Sequence, residues 1–196
     1  MTRFQNTRQP GWDWWGELWD DPEATLRTLG ADEATSVLDL ACGDGYFTVP
    51  LAELVDGPVY GVDLDPDCLA RLRDAAAEAE VDVSCVAGDA RELPSLLAEP
   101  VDYVLLANTF HGVDDQGGLA TAVRDVLASG GRFAIVNWHD QPREETTVAG
   151  AVRGPPTELR MTAEETRDVV EAAGFETVET VELPPYHYGV VFERRD

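Results

Sequence analysis

Short apolar runs recur along this chain, and most are followed by stretches in which apolar residues return every three or four positions. SVLDLA (36–41) leads into a helical pattern at 46–55. PVYGVDL (58–64) leads into another at 66–80, with Leu69, Leu72, Ala76 and Ala79 on one face and Pro66 in the first turn. VDVSCVAG (81–88) reads as a third strand. VDYVLLAN (101–108) is a fourth, apolar enough to be buried on both faces. A helical pattern at 116–128 precedes a fifth strand, GGRFAIVNW (130–138).

Strands alternating with helices predict a parallel sheet covered on both faces. The pattern then changes. Residues 140–160 are polar and rich in Pro and Gly, and read as a long loop. Residues 162–173 form a helix in which Thr162 and Glu165 make a capping box and Gly174 is the stop. FETVETVEL (175–183) and YHYGVVFER (186–194) flank a Pro-Pro link and predict an antiparallel pair at the sheet edge. The expected fold class is α/β: a Rossmann-like, doubly wound, seven-stranded sheet, mostly parallel with an antiparallel last strand. It occupies 36–196, after an aromatic segment at 1–35.

The length of 196 residues suits one domain with a proper core. No apolar run is long enough to span a bilayer, and the first fifteen residues lack the apolar centre of a signal peptide. Cytoplasmic location and no membrane partner are the expectations. Cys42, Cys68 and Cys85 lack metal-ligand spacing and read as small buried residues, so no metal is expected.

Charge changes the picture more. The net charge is −24, from 38 acidic residues against 14 basic ones, all of them Arg. Acidity spread over the whole chain suggests a surface built for concentrated salt, as in a halophilic archaeon. Such a charge repels nucleic acid, and no nucleic-acid partner is expected. In molar salt, however, screening over about 3 Å makes that argument a weak one.

The candidate chemistry lies at the strand ends, where open α/β sheets bind ligands. Gly43 and Gly45 in ACGDGY allow positive φ and close backbone approach. A dinucleotide fingerprint wants Gly or Ala where Thr48 stands, and Asp39 would repel a pyrophosphate. An ammonium or sulfonium, by contrast, would be attracted to Asp39. Asp63 ends the second strand, where it can accept two ribose hydroxyls. Asp89 follows the third, where it can accept from an exocyclic amine. Each Asp alone also suits an ordinary N-cap or turn. Together the three describe S-adenosylmethionine, which carries ammonium, ribose and adenine but no phosphate.

On Asp39, Ala41, Gly43 and Gly45, with the terminal antiparallel pair, the chain resembles the class I S-adenosylmethionine-dependent methyltransferases, in particular small members with a type 11 domain. The resemblance implies that Ala41, Cys42 and Gly43 line the methionine end. It implies that Asp63 and Leu64 frame ribose and adenine, that Asp89 and Ala90 hold adenine, and that Asn108 approaches the amino acid end. Gly45 and Tyr46 complete the cofactor set. Ala41 stands where the family commonly has Gly.

The resemblance supplies no universal catalytic residue. His111, His139 and His187 are the candidate bases; the first two follow strands on the ligand side, and the direction of the third is open. PPY resembles a signature of nitrogen methylation, but it lies far from the fourth strand where that signature belongs. Trp12, Trp14, Trp15 and Trp19 form either a packing cap or a lid over an apolar substrate. Trp14, Trp15, His111, His139 and Tyr186 are the tentative substrate contacts. Arg143, Arg153 and Arg160 in the long loop either read an acidic substrate or balance nearby carboxylates.

The expected function is methyl transfer from S-adenosylmethionine to a small-molecule acceptor, by a monomer or homodimer. The alternatives are an RNA or protein methyltransferase, a cofactor-binding protein without catalysis, and a nicotinamide-dependent oxidoreductase.

Overall fold

The computed structural model describes residues 12–196, with the side chain of Trp12 excepted, so the expectation for Trp12 and most of the leader reading fall outside the described residues. Two short helices come first, α1 (Trp12–Leu18) and α2 (Pro22–Thr28). Asp21 caps α2, its carboxylate accepting from the Ala24 N–H at 2.8 Å.

The alternating part then runs β1 (Val37–Leu40), α3 (Thr48–Leu54), β2 (Val59–Asp63), α4 (Pro66–Glu78) and β3 (Ser84–Ala87). It continues with α5 (Leu93–Leu96), β4 (Val101–Ala107), α6 (Gln116–Val126) and β5 (Leu127–Trp138). These elements stand where the hydrophobic pattern puts them, with ends moved by a few residues. The short helix α5 was not expected. It buries Leu93 completely, one apolar contact too few to set up a period.

The loop expected at 140–160 holds a small hairpin, β6 (Thr147–Val148) and β7 (Ala151–Val152), flanked by 3-10 turns. It is called the strap below. Then come α7 (Ala163–Ala172), β8 (Phe175–Leu183) and β9 (His187–Arg194). Thr162 and Glu165 form the expected capping box.

The main sheet has seven strands in the order β3-β2-β1-β4-β5-β9-β8. The first five are parallel; β9 runs antiparallel to both β5 and β8. The last strand therefore lies inside the sheet, and the edge belongs to β8. That edge is charged, with Glu176, Glu179 and Glu182 along it and a register shift between Thr177 and Glu179, which discourages pairing with another chain.

All four residues of β1 are buried, as are five of the seven in β4, because helices cover both faces. Asp102 ties these strands at their starts. Burial pulls its pKa up, but the Thr35 hydroxyl and the backbone N–H groups of Ser36 and Thr35 all donate to the carboxylate and hold it below the usual range. The chain reversal after β1 depends on close approach. A Cβ at Gly45 would stand 2.4 Å from Leu72 Cδ1, and one at Gly61 2.7 Å from Leu72 Cδ2. Leu72 of α4 thus settles directly on the backbone of the turn and of β2.

Candidate active site

The strand order sets the loops after β3, β2, β1 and β4 side by side at one end of the sheet. Along that row stand Asp89 and Ala90, then Asp63 and Leu64, then Ala41 to Tyr46, then Asn108. Proximity in the fold brings these residues together although they span much of the sequence.

The turn after β1 is shaped by left-handed backbone. Ala41, Gly43 and Gly45 have φ of 58°, 57° and 98°. The backbone N–H of Gly43 donates to Asp63 Oδ2 at 2.9 Å, and that of Asp65 to Asp63 Oδ1 at 2.8 Å. Both carboxylate oxygens of Asp63 are thereby aimed, and each keeps lone-pair capacity for a further donor. Leu64 beside it is 67% exposed, one of the few large apolar side chains left open to solvent.

Asp39 is more enclosed than its expected role suggests. It is 3% exposed, and its Oδ2 accepts the hydroxyl of Thr48 at 2.6 Å. Burial pushes its carboxyl up to about 7. The β-branched residue that spoils a dinucleotide turn is thus the partner of the buried carboxylate. Asp89 caps the turn that follows β3 and is gripped by the Arg91 side chain. These bonds hold its carboxyl down at about 2.

Asn108 directly follows β4 in left-handed backbone, φ 58°. Both polar atoms of its side chain are buried without a hydrogen-bond partner among the described residues. A buried amide left unpaired costs free energy, on the order of 1–3 kcal/mol, so it marks a place where a polar ligand group belongs. This orphaned amide, the positive-φ turn beside it and the aimed Asp63 fit S-adenosylmethionine. Their donors and acceptors match its amino acid end and its ribose. Cys42 offers no competing chemistry, since burial raises its thiol far above the ordinary range. Among the described residues no group of three or more His, Cys, Asp or Glu side chains is placed to hold a metal ion.

An aromatic cluster, called the roof below, stands against the turn after β1 at Tyr46. Tyr46 donates its phenol proton to the Trp19 carbonyl at 2.6 Å and meets Trp15 edge to face. Trp14 packs edge to face on Trp15, and the Arg153 guanidinium of the strap lies 4.9 Å from the Trp14 ring. Tyr186 stacks on Trp138, and its hydroxyl donates to the Thr147 carbonyl at 3.0 Å. Segment and strap thus meet through Trp14 and Arg153, two ring contacts from Tyr46.

The three histidines converge because the start of β9 pairs with the end of β5, Trp138 opposite His187. His187 is 1% exposed between the Trp19 and Trp138 rings, with neither nitrogen bonded. Burial first, then His139, His111 and Arg160, keep it neutral. It is sealed away from an acceptor. His139 pairs through Nε2 with Glu182 at 2.9 Å. His111 holds Asn137 Oδ1 through Nδ1 at 3.1 Å, and burial lowers its pKa.

Arg160 is buried and donates to Pro155 O, His139 O and Thr146 Oγ1. Neither it, Arg143 nor Arg153 reaches a carboxylate within 4.0 Å among the described residues. Arg143 and Arg160 therefore pin the strap to neutral oxygens, while Arg153 lies against the Trp14 ring. Sequence reasoning missed Asn137 and Tyr188, and it read Thr48 only as unsuited to a dinucleotide turn, not as the partner of Asp39. Asn137 carried a signal of the same kind as Asp39, a polar residue within an apolar strand.

Residues 37–131 match the family model of a methyltransferase domain. The match spans just under half of the chain, and with the fold it makes the chain similar to S-adenosylmethionine-dependent methyltransferases. Among curated proteins, the demethylmenaquinone methyltransferase of Listeria monocytogenes is 28% identical over 116 residues, covering 58% of this chain and 48% of that protein. The 27-O-demethylrifamycin SV methyltransferase of Amycolatopsis mediterranei is 30% identical over 145 residues, covering 62% and 51%. The chain thus spans about half the length of the curated relatives it matches. Of solved structures, an S-adenosylmethionine-dependent methyltransferase from Aquifex aeolicus superposes with a TM-score of 0.77, 24% identity and 91% coverage of both chains, a likeness of fold.

Proposed function

We propose that the chain transfers a methyl group from S-adenosylmethionine to a small-molecule acceptor. The observation that carries the reading is the unpaired buried amide of Asn108 beside the turn that Gly43 and Asp63 tie together. In this reading Asp63 accepts from the ribose hydroxyls and Leu64 and Ala90 flank the adenine. Asp89 takes the adenine amine on lone pairs that Arg91 leaves free. Asn108, Asp39 and the backbone from Ala41 to Gly45 receive the amino acid end.

The bound cofactor supplies an electrophilic methyl group; the chain supplies position and a dry site. The roof of Trp14, Trp15 and the strap excludes water above the crevice. The acceptor lies beneath that roof, near Tyr186, His139 and His111, and His111 serves as its base. Support for a small acceptor comes from the curated relatives, whose names give a menaquinone precursor and a rifamycin as substrates.

The test is calorimetric titration of the full chain in concentrated KCl with S-adenosylmethionine, S-adenosylhomocysteine and NAD in parallel. Binding of the first two and not the third is the expected result. Binding of NAD alone overturns the reading, and binding of none by folded protein points to a domain without catalysis. Tight, salt-dependent binding of RNA in the same buffer would replace the small acceptor.

A further inference from the structure

We infer that Asn137 and Tyr188 are positioning residues that fix the tautomer of His111, keeping its proton on Nδ1 and presenting Nε2 bare as the base of the methyl transfer. The inference rests on the reading just proposed and adds to it two residues and a proton location.

The logic is one of donors and acceptors. The Tyr188 hydroxyl lies 3.0 Å from the Met161 carbonyl and 3.1 Å from the Thr162 carbonyl. Carbonyls only accept, so the phenol proton is committed to them. The Tyr188 oxygen is then left as an acceptor toward its other neighbours, the Thr166 hydroxyl at 2.7 Å and the Asn137 side chain at 3.4 Å. Only the amide nitrogen of Asn137 can donate, so Nδ2 faces Tyr188. Its Oδ1 therefore faces His111 Nδ1 at 3.1 Å, and that contact needs a proton on Nδ1. The opposite amide orientation would leave two carbonyls facing an oxygen with no proton between them.

Tyr188 and Asn137 are both fully buried, so water does not scramble the chain of bonds. His111 Nε2 has no hydrogen-bond partner among the described residues and is not among the buried unpaired atoms, so it opens to accessible space. Burial and the Arg160 charge both act against protonation of this ring. In the step itself the acceptor's proton passes to Nε2, leaving an imidazolium. The electron pair it leaves behind forms the bond to the methyl carbon, whose former bonding pair stays on the cofactor sulfur.

The test is long-range proton–nitrogen NMR on the full chain labelled with 15N-histidine, without cofactor or acceptor, with His111 assigned through His111→Gln. The expected wild-type spectrum shows His111 neutral at pH 7 with its proton on Nδ1. Tyr188→Phe frees the amide, and the His111 signals become a mixture of both tautomers. Asn137→Asp keeps an acceptor at the same place, so the proton stays on Nδ1 and the titration midpoint rises by about one pH unit or more. A wild-type proton on Nε2, or a tautomer indifferent to Tyr188→Phe, overturns the inference. If Tyr188→Phe fails to fold, the wild-type tautomer and Asn137→Asp still decide. The imidazole is read with nothing bound, so its failure and a failure of cofactor binding are separate results.

Discussion

The backbone N–H of Gly43 donates to the Asp63 carboxylate across 2.9 Å, binding the turn after β1 to the end of β2. One carboxylate thus organises the turn and stays available to a ligand. Asp63→Ala removes both functions. Hydrogen bonds to a charged group contribute about 1.5–3 kcal/mol, and tenfold in affinity corresponds to about 1.4 kcal/mol. S-adenosylhomocysteine affinity should fall at least about tenfold by calorimetry, with circular dichroism unchanged. Undiminished affinity would remove Asp63 from the site.

Asp39 gives a pH signature. Its carboxyl is raised to about 7 in the folded protein by burial, with the Asp63 charge adding to the shift. An acid raised on folding binds more protons folded than unfolded between the two values. Its contribution to stability therefore falls as pH rises from about 4 toward 7, by up to about 1.4 kcal/mol per unit. Asp39→Asn keeps an acceptor for Thr48 and abolishes that slope. Urea unfolding at pH 5 and pH 8 should show the variant gaining on the wild type at the higher pH. Parallel curves would mean that Asp39 titrates normally.

Ala41 sits at φ 58°, where an L side chain is strained. Left-handed backbone costs about 1–2 kcal/mol without glycine, part of which glycine's extra unfolded freedom offsets. Ala41→Gly should stabilise the domain by about 0.5–1 kcal/mol, read as a higher urea midpoint at unchanged slope. A lower midpoint would mean that the Ala41 methyl packs better than its strain costs.

Tyr46 joins roof and turn through its bond to the Trp19 carbonyl. Tyr46→Phe keeps the ring packing and removes the bond, at about 1 kcal/mol. Hydrogen exchange in α1 and the residues around Trp19 should quicken about fivefold. Exchange unchanged there would show that ring packing alone holds the segment.

With 38 acidic residues against 14 basic ones, the folded surface repels itself. Raising KCl shortens the screening length from about 10 Å at 0.1 M to about 3 Å at 1 M. The thermal midpoint should climb over that range. A flat response would detach the charge from any adaptation to salt.

Much of this was legible in the sequence, and the reason is local. Asp39, Asp63 and Asp89 each follow or interrupt an apolar run, so the strands announce where they stand. The period at Leu69, Leu72 and Ala76 announces α4 in the same way. What stayed hidden depends on partners distant in the chain. Nothing near His187 says that it will face Trp138, because that pairing comes from β9 entering beside β5. Asn137 and Tyr188 look like two strand residues until the antiparallel register sets them opposite one another. The hairpin in the strap has only two residues per strand, too few for an alternation to show.

The place of β9 bears on how the chain is made. It is synthesised after every other strand of the sheet, yet it lies between β5 and β8. During translation the inner flank of β5 has no neighbour, and β8 has nothing to pair with, until His187–Arg194 has left the ribosome. A strand with six of its eight residues buried is therefore the last to be placed, and that interval is when a nascent chain is most open to association and to chaperones.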